Sequence, residues 1–240
     1  MKTQYLFILL GLLVLSAGCK KETKCIDGNG DLLQETRNLE QYTSVDLYGD
    51  SHLFFSQGAN SRADIFAESN IIPLITTTIN AQKVLIIDVK NDECYNTNHT
   101  PEVTLMSPDC FNFSLYGSGN FQANSLNMDR LNITSLGSGN MNSSFSVSYF
   151  SIESSGSGNA NFAGSTSRSG IKLLGSGNIY AKTVTADTCI VISVGSGDIT
   201  LTAISYLDVE IKGSGNVYYS GDPVIVQNIT GSGLLIKEGK

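Results

Sequence analysis

The chain of 240 residues carries 15 basic and 22 acidic residues, which gives a formal net charge of −7. An acidic chain without clustered lysine and arginine lacks the surface that nucleic acids and anionic lipid headgroups require. The two histidines and five cysteines have none of the spacings typical of zinc sites. We therefore expect no nucleic-acid partner, no bound metal and no cofactor.

Residues 1–18 have the features of a lipoprotein signal peptide. Lys2 gives a basic start, Leu6–Leu15 is an apolar run, and the small residues Ser16-Ala17-Gly18 precede Cys19. The apolar run is too short to span a bilayer, which takes about 20 residues. We predict cleavage before Cys19 and attachment of acyl chains to Cys19, which would anchor the protein in a membrane. The alternative is ordinary signal cleavage that leaves Cys19 as a plain thiol.

The chain after the predicted signal divides into three parts. Residues 19–30 are polar and contain glycine, which predicts a short tether between the anchor and the domain. Residues 31–110 alternate apolar runs with turn residues and predict an N-terminal β region. Residues 111–240 hold a repeat that continues the same domain. Lys20 follows Cys19 and favours the outer membrane, with the leaflet left open.

Four cysteines, Cys25, Cys94, Cys110 and Cys189, follow Cys19, and export to an oxidising compartment would permit disulfides. Cys94 and Cys110 flank a short excursion, and a bridge between them would close about 15 residues, worth about 3 kcal/mol in the chain-entropy model. Cys25 competes for either partner. Cys189 falls on a core-facing position of the repeat, so we expect a buried free thiol there.

The tetrapeptide Gly-Ser-Gly-Asn, or a close variant, returns every 18 to 20 residues. A near-constant period of this length predicts one β unit stacked on itself. We interpret its glycines as corners between strands, where they would supply a positive φ angle. These structural turns are Gly117, Gly119, Gly137, Gly139, Gly156, Gly158, Gly175, Gly177, Gly195, Gly197, Gly213, Gly215, Gly231 and Gly233. Stacked serine and asparagine residues could form ladders beside them.

Apolar residues stand at fixed distances from each corner and predict a continuous core. Residues two places apart on a strand face the same way, so positions four before and four after the first glycine point inward. These columns are Phe113, Ile133, Ile152, Ile171, Val191 and Val209, and Phe121, Met141, Ala160, Ile179, Ile199, Val217 and Leu235. A third column, six residues before the first glycine, contains Phe111, Leu131, Phe150, Cys189, Leu207 and Ile225 and is interrupted by Ser169. We predict an all-β fold, a right-handed parallel β-helix-like solenoid with about 19 residues per coil, capped by the N-terminal β region.

The corners, the opening Val45-Asp46-Leu47-Tyr48-Gly49 with Phe55-Ser56-Gln57-Gly58, and the ending Tyr218–Pro223 resemble the auto-transporter adhesin, head GIN domain family of Bacteroidota. The resemblance covers residues from about Arg37 to the C-terminus. It implies an exported, often lipidated, solenoid-like protein whose biochemical function is unassigned. It thus implies an adhesin-like or structural module at the cell surface.

The sequence gives little support for catalysis. Gly-x-Ser-x-Gly is absent, and the acidic residues of the repeat do not recur in register. Calcium is disfavoured because Asp198 is the only carboxylate among seven corners. We predict no enzyme activity and a lipid-anchored envelope module, with a glycan or protein as the unidentified ligand. One alternative is a carbohydrate-binding or carbohydrate-active β-helix protein, because the outward segments Asn178-Ile179-Tyr180 and Val217-Tyr218-Tyr219 suit glycan contacts. The other is a structural lipoprotein without a ligand.

Overall fold

The computed structural model describes residues 25–90 and 93–239. The predicted signal peptide, Cys19 and the first residues of the tether lie outside the described residues. The described chain consists of strands and one 3₁₀ turn. In chain order these are β1 (Ile26–Asp27), β2 (Leu32–Asn38), β3 (Ser44–Leu47), β4 (His52–Gln57), β5 (Arg62–Glu68), the 3₁₀ turn (Ile72–Leu74), β6 (Ile75–Ile79), β7 (Val84–Val89), β8 (Tyr95–Asn96), β9 (Glu102–Ser107), β10 (Asn112–Leu115), β11 (Phe121–Ser135), β12 (Met141–Ser154), β13 (Ala160–Leu173), β14 (Ile179–Ser193), β15 (Ile199–Ile211), β16 (Val217–Ser220), β17 (Val224–Ile229) and β18 (Leu235–Lys237).

The repeat folds into stacked coils, each made of one long strand and one corner. Strands β11 to β15 pair in parallel, each with the next along the chain, and the corners lie above one another. The solenoid has about 7 turns with a spacing of about 19 residues. The predicted parallel β-solenoid is therefore confirmed. Bulges interrupt the register in three of these pairings, as between Ala123 and Leu126.

The apolar columns form the core of the solenoid. Twelve of the thirteen residues of the first two columns are at most 2% exposed, because each is covered by its counterparts in neighbouring coils. Leu235, in the last coil, is half-buried. Aromatic side chains fill the wider part of this core. The ring of Phe150 packs against Phe145 and Phe162 with centroid distances of 4.5 and 4.8 Å. The alternation read from the sequence is thus the alternation of inward and outward side chains.

The first coils do not follow one another in chain order. Strands β3 and β4 flank Gly49 and stack directly beneath β10 and β11. Their opposite edges pair in parallel with β7 and β9, which come later in the chain. The segment between β4 and β10 therefore builds a coil beneath the first one and then returns to continue the solenoid above it.

The two ends of the solenoid differ. At the N-terminal end, antiparallel pairings of β2 with β5 and of β6 with β7 close the stack, which is the predicted β cap. At the C-terminal end, all six residues of β17 are exposed. No coil of the described chain lies above β17. Ile225, which occupies the core-facing position six residues before Gly231, is therefore 37% exposed.

Two predictions for the N-terminal part are wrong. Cys94 forms its disulfide with Cys25, the alternative partner, and not with Cys110. Cys110 is a buried free thiol. Cys25 is brought beside Cys94 because β1 pairs in parallel with β8, a contact that sequence separation does not reveal. The same pairing places residues 25–30 in the folded domain, whereas the tether was predicted to extend to Gly30. Cys189 is a buried free thiol, as predicted.

Candidate binding surface

The corner glycines allow the coils to approach closely. A Cβ atom added at Gly137 would lie 1.6 Å from the carbonyl oxygen of Gly117, and one at Gly156 would lie 1.5 Å from that of Gly137. None of the fourteen repeat-corner glycines has a positive φ angle, whereas Gly49 in the first coil has φ of +88°. The prediction that the repeated corners need a left-handed backbone is therefore wrong. Glycine is required there because the carbonyl of the coil below occupies the position of a side chain.

A ladder of side-chain to backbone hydrogen bonds runs beside the glycines. The Oδ1 atom of each corner asparagine, and of Asp198 at the corner where aspartate replaces it, accepts a hydrogen bond from the backbone N–H of the equivalent residue in the next coil. The donor–acceptor distances are 2.7–3.0 Å for the N–H groups of Asn140, Asn159, Asn178, Asp198, Asn216 and Leu234. His52 Nδ1 begins the ladder by accepting from the Asn120 N–H at 3.2 Å. The predicted ladder thus exists, but it links side chains to the backbone.

The corner face carries an aromatic pair at one end and serine hydroxyls along its length. The rings of Tyr48 and Tyr116 stack with a centroid distance of 4.6 Å and an interplanar angle of 6°. Beyond them, exposed Leu136 and Val194 occupy the same position before the glycine. Because the two rings cover each other, only their edges and outer faces remain for contacts with a ligand.

A second outward face carries a row of uncharged residues, which we call the amide row. It lies five residues after each first glycine, so its members pair in register from coil to coil. In spatial order the amide row is Phe54, Gln122, Asn142, Asn161, Tyr180, Thr200 and Tyr218. Asn161 Nδ2 donates to Asn142 Oδ1 at 3.0 Å, and Asn178 Nδ2 donates to the Tyr180 hydroxyl at 3.1 Å.

An open cavity of about 520 Å³ lies along the amide row. Its floor includes Phe162 and Ser143, and its rim includes an ion pair between Lys182 and Glu238 with a nitrogen–oxygen distance of 2.8 Å. The Ser143 hydroxyl is buried and has no hydrogen-bond partner in the described chain. Ser143 is in register with the core residues Ala123 and Phe162, so its hydroxyl faces the solenoid core, where a hydroxyl without a partner is costly.

Unusual backbone conformations accompany this cavity. Ser125 has φ of +57°, and its N–H donates to the Ser144 hydroxyl at 2.9 Å. Two coils further on, Gly164 has φ of +133°, and the strand register places it above Phe145 and Leu126, next to the position of Ser125. Strained residues of this kind cost free energy and often accompany functional surfaces. They lie beside the cavity-lining residues Asn124 and Ala163, at the register shifts of β11 and β13.

The buried titratable groups lie away from the amide row and are held by the fold. Glu68 is 1% exposed and accepts hydrogen bonds from the Gly30 N–H and the Thr97 hydroxyl. Burial raises the pKa of the Cys110 thiol, and it raises the pKa of the Cys189 thiol to about 12. Both cysteines are therefore protonated and unreactive at neutral pH.

The remaining candidate chemistry is dispersed. Within residues 25–90 and 93–239, no three of the metal-ligating residue types His, Cys, Asp and Glu lie together as an ion site. Glu210, an acidic residue of the repeat, pairs with Lys212 at 3.0 Å. The described part of the chain also has no helix long and apolar enough to cross a membrane.

Residues 41–223 match the family model described as "Putative auto-transporter adhesin, head GIN domain". The chain belongs to this family. The resemblance noted at the corners is therefore confirmed over most of the chain, and it indicates a cell-envelope or surface protein of adhesin-like type. No match to this chain is found among curated proteins.

Solved structures of similar proteins have the same fold. A protein from Bacteroides fragilis described as "a putative adhesin" is 21% identical to this chain and has a TM-score of 0.79. The alignment covers 89% of this chain and 100% of that protein. A protein from Parabacteroides distasonis described as "Putative lipid binding protein" is 25% identical and has a TM-score of 0.73. The alignment covers 90% of this chain and 100% of that protein. A protein from Parabacteroides merdae described as "a putative adhesin" is 22% identical and has a TM-score of 0.66. The alignment covers 90% of this chain and 99% of that protein.

Sequence reasoning found only part of this head GIN domain protein's polar surface. It singled out Tyr180 and Tyr218 as outward residues but missed Gln122, Asn142 and Asn161 of the amide row. The signal was present, because these residues share one distance from their corner glycines. The apolar columns alone do not reveal this polar row. The cavity depends on bulges, which the alternation of side chains does not predict.

Proposed function

We propose that this protein is a lipid-anchored, non-catalytic adhesin-like module of the cell envelope, held in the outer membrane through Cys19. The amide row carries the proposal, because it presents one outward side chain per coil in a fixed register along the solenoid. Such a face suits contact with an extended partner, since successive coils are about 4.8 Å apart and rigidly paired. The adhesin description of the family supports the same role.

A carbohydrate-active enzyme is the alternative, and the charges of the cavity disfavour it. Glycoside hydrolysis uses two carboxyl groups on either side of the scissile bond. The cavity beside the amide row is bordered by one carboxylate, Glu238, which is neutralised by Lys182. Release of reducing sugars from polysaccharides by the purified protein, above the level of a blank, would overturn the non-catalytic assignment.

The anchor is tested by substitution of Cys19. We expect Cys19→Ala to move the protein from the membrane fraction to the soluble fraction, because the acyl chains supply the membrane affinity. Cys189→Ser is the matched control, since Cys189 is buried in the core and should leave the fractionation unchanged. Unchanged membrane association of the Cys19→Ala protein would rule out the lipid anchor.

Protease treatment of intact and lysed cells tests the location. For this experiment an epitope tag is added after Lys240, and the tagged protein is followed by immunoblotting. Loss of the signal from intact cells supports an adhesin on the outer surface. Protection in intact cells with digestion after lysis would contradict that role, because a module that faces the periplasm cannot bind an external surface.

A further inference from the structure

We propose that the amide row and its cavity form a binding site for an uncharged glycan. This inference rests on the proposed adhesin-like function and adds the chemical class of the ligand. Three features carry it: the uncharged composition of the row, a gap between two tyrosines, and polar atoms without protein partners. The amide row is defined as before, from Phe54 to Tyr218.

The chemistry of the amide row fits hydroxyl-rich, neutral molecules. Gln122, Asn142 and Asn161 are exposed and consecutive, and each amide offers both donors and an acceptor. Sugar hydroxyls are likewise donors and acceptors, so they can satisfy an amide at both ends. No member of the row is charged, and a row of this kind gives no electrostatic reward to an ionic ligand.

Two tyrosines separated by a small residue create a slot. Tyr180 is paired in register with Thr200, and Thr200 with Tyr218, so the tyrosine rings lie two coils apart, about 9.6 Å. Asn178 and Asn216 each donate a side-chain hydrogen bond to the hydroxyl of the tyrosine beside them, at 3.1 and 3.3 Å. These bonds fix the positions of the rings. A sugar ring can lie over Thr200 with its C–H groups against an aromatic face.

Two amide atoms that border the cavity have no hydrogen-bond partner within the described chain. In the described chain, Asn142 Nδ2 and Asn161 Oδ1 make no hydrogen bond to another protein group, because the bond between these two residues uses their other amide atoms. Sugar hydroxyls in the cavity would supply direct partners to these two exposed amide atoms in place of water.

The surrounding charge disfavours anionic polymers. The one cation that borders the cavity, Lys182, is paired with Glu238 at 2.8 Å, and the whole chain has a net charge of −7. A polyanion would therefore meet a neutral row in a negative field and find no unpaired cation in this cavity. We expect neutral polysaccharides to bind and sulfated or carboxylated ones to be rejected.

Affinity electrophoresis of the full mature chain in detergent tests the inference. Native gels contain dextran, laminarin or galactomannan as neutral probes, and heparin or polygalacturonate as anionic probes. We expect at least one neutral polymer to retard the protein, with little effect of 0.5 M salt, and neither anionic polymer to do so. Retardation by none of the neutral polymers, or only by an anionic one, overturns the inference.

Three variants locate the site. We expect Tyr180→Ala and Thr200→Trp each to weaken the retardation about tenfold, because the first removes a ring contact and the second fills the slot. Asn161→Ala should weaken it by a smaller factor. Tyr116→Ala is the matched control, since Tyr116 is 39% exposed and Tyr180 41%, but Tyr116 lies on the corner face. Equal effects of Tyr116→Ala and Tyr180→Ala, with unchanged circular dichroism, would place binding elsewhere.

Adhesion of whole cells separates this inference from the function on which it rests. Cells that display the protein are added to surfaces coated with the neutral polysaccharide, with protein, or with lipid vesicles of phosphatidylcholine. Adhesion to the polysaccharide that is lost with Tyr180→Ala supports both. Adhesion only to the protein or lipid surface overturns the glycan inference and leaves the adhesin-like function standing. Adhesion to none of them contradicts both.

Discussion

Gly137 lies so close to Gly117 in the coil below that a Cβ atom on Gly137 would be 1.6 Å from the Gly117 carbonyl oxygen. The same relationship repeats at every corner of the solenoid, with distances of 1.5–2.1 Å for the fourteen repeat-corner glycines. The backbone of one coil therefore fills the space beneath the glycine of the next coil, where a side chain would lie. Repetition of glycine in the sequence reflects repetition of this contact, and the corners contribute to stability only while every coil preserves it.

Substitution of a central corner glycine should destabilise the whole solenoid. We expect Gly137→Ala to lower the free energy of unfolding by about 3 kcal/mol or more, because its Cβ meets backbone that cannot move without separating the coils. Urea unfolding followed by circular dichroism measures the loss. Gly170→Ala is the control, since its Cβ would approach the Tyr149 hydroxyl no closer than 3.4 Å. A similar loss in both variants would contradict the close-approach explanation.

The corner ladder predicts a difference between two substitutions of Asn159. Its Oδ1 accepts from the Asn178 N–H at 2.9 Å, so Asn159→Ala removes the acceptor and should cost about 1 kcal/mol. Asn159→Asp retains the acceptor and should cost less at neutral pH, as Asp198 shows by accepting from the Asn216 N–H at 2.7 Å. Thermal unfolding compares the two. Equal losses would mean that the ladder contributes little to stability.

The bridge between Cys25 and Cys94 should contribute strongly to stability. It closes a separation of 69 residues, for which the chain-entropy model gives about 4 kcal/mol. We expect Cys94→Ser to lower the melting temperature and to release a Cys25 thiol that maleimide labels in the folded protein. Cys110→Ser is the control and should release no thiol. Labelling of Cys94 in the Cys110→Ser protein would instead restore the pairing predicted from sequence.

Buried tyrosines should make the fold sensitive to alkali. Burial raises the pKa of Tyr42 and of Tyr95 above the ordinary value of 10.0, and for Tyr95 its hydrogen bond to Asp50 acts in the same direction. Below pH 10 both tyrosines are protonated in the folded and unfolded chains. Above pH 10 the unfolded chain loses protons that the folded chain keeps, so stability falls as the pH rises.

Urea midpoints between pH 8 and pH 12 measure this effect. Tyr95→Phe removes one of the two groups, so its midpoint should fall less steeply than that of the wild type above pH 10. Tyr180→Phe is the matched control, because the Tyr180 side chain is exposed. A wild-type midpoint that is constant up to pH 12 would contradict the prediction.

Much of the solenoid could be predicted because its signals are local. Ile133 and Met141 could be assigned to the core from their distances to Gly137, since alternation along a strand decides which side chains face inward. The reason for the glycines could not be predicted in the same way. A positive φ angle and a close neighbour both select glycine, and only the position of the Gly117 carbonyl distinguishes them.

The candidate site was predictable only in part. Tyr180 stood out as an aromatic residue on an outward position, and the in-register amides Asn142 and Asn161 were available from the same count. The cavity beside them was not, because it depends on bulges and on Glu238, which returns from the end of the chain to pair with Lys182. Contacts between residues 56 apart in sequence are set by how the coils stack and leave no trace in local periodicity.

The sequence by itself determined the length of a coil, the inward columns and the family of the protein, because all three are encoded in spacing along one chain. The tertiary structure alone decided the order of the first coils, the Cys25–Cys94 bridge and the cavity beside the amide row. These features depend on which strand edges meet. Parallel pairing of β3 with the later β7 is set by the complementary edges and shared core of the folded chain, and sequence distance gives no measure of either.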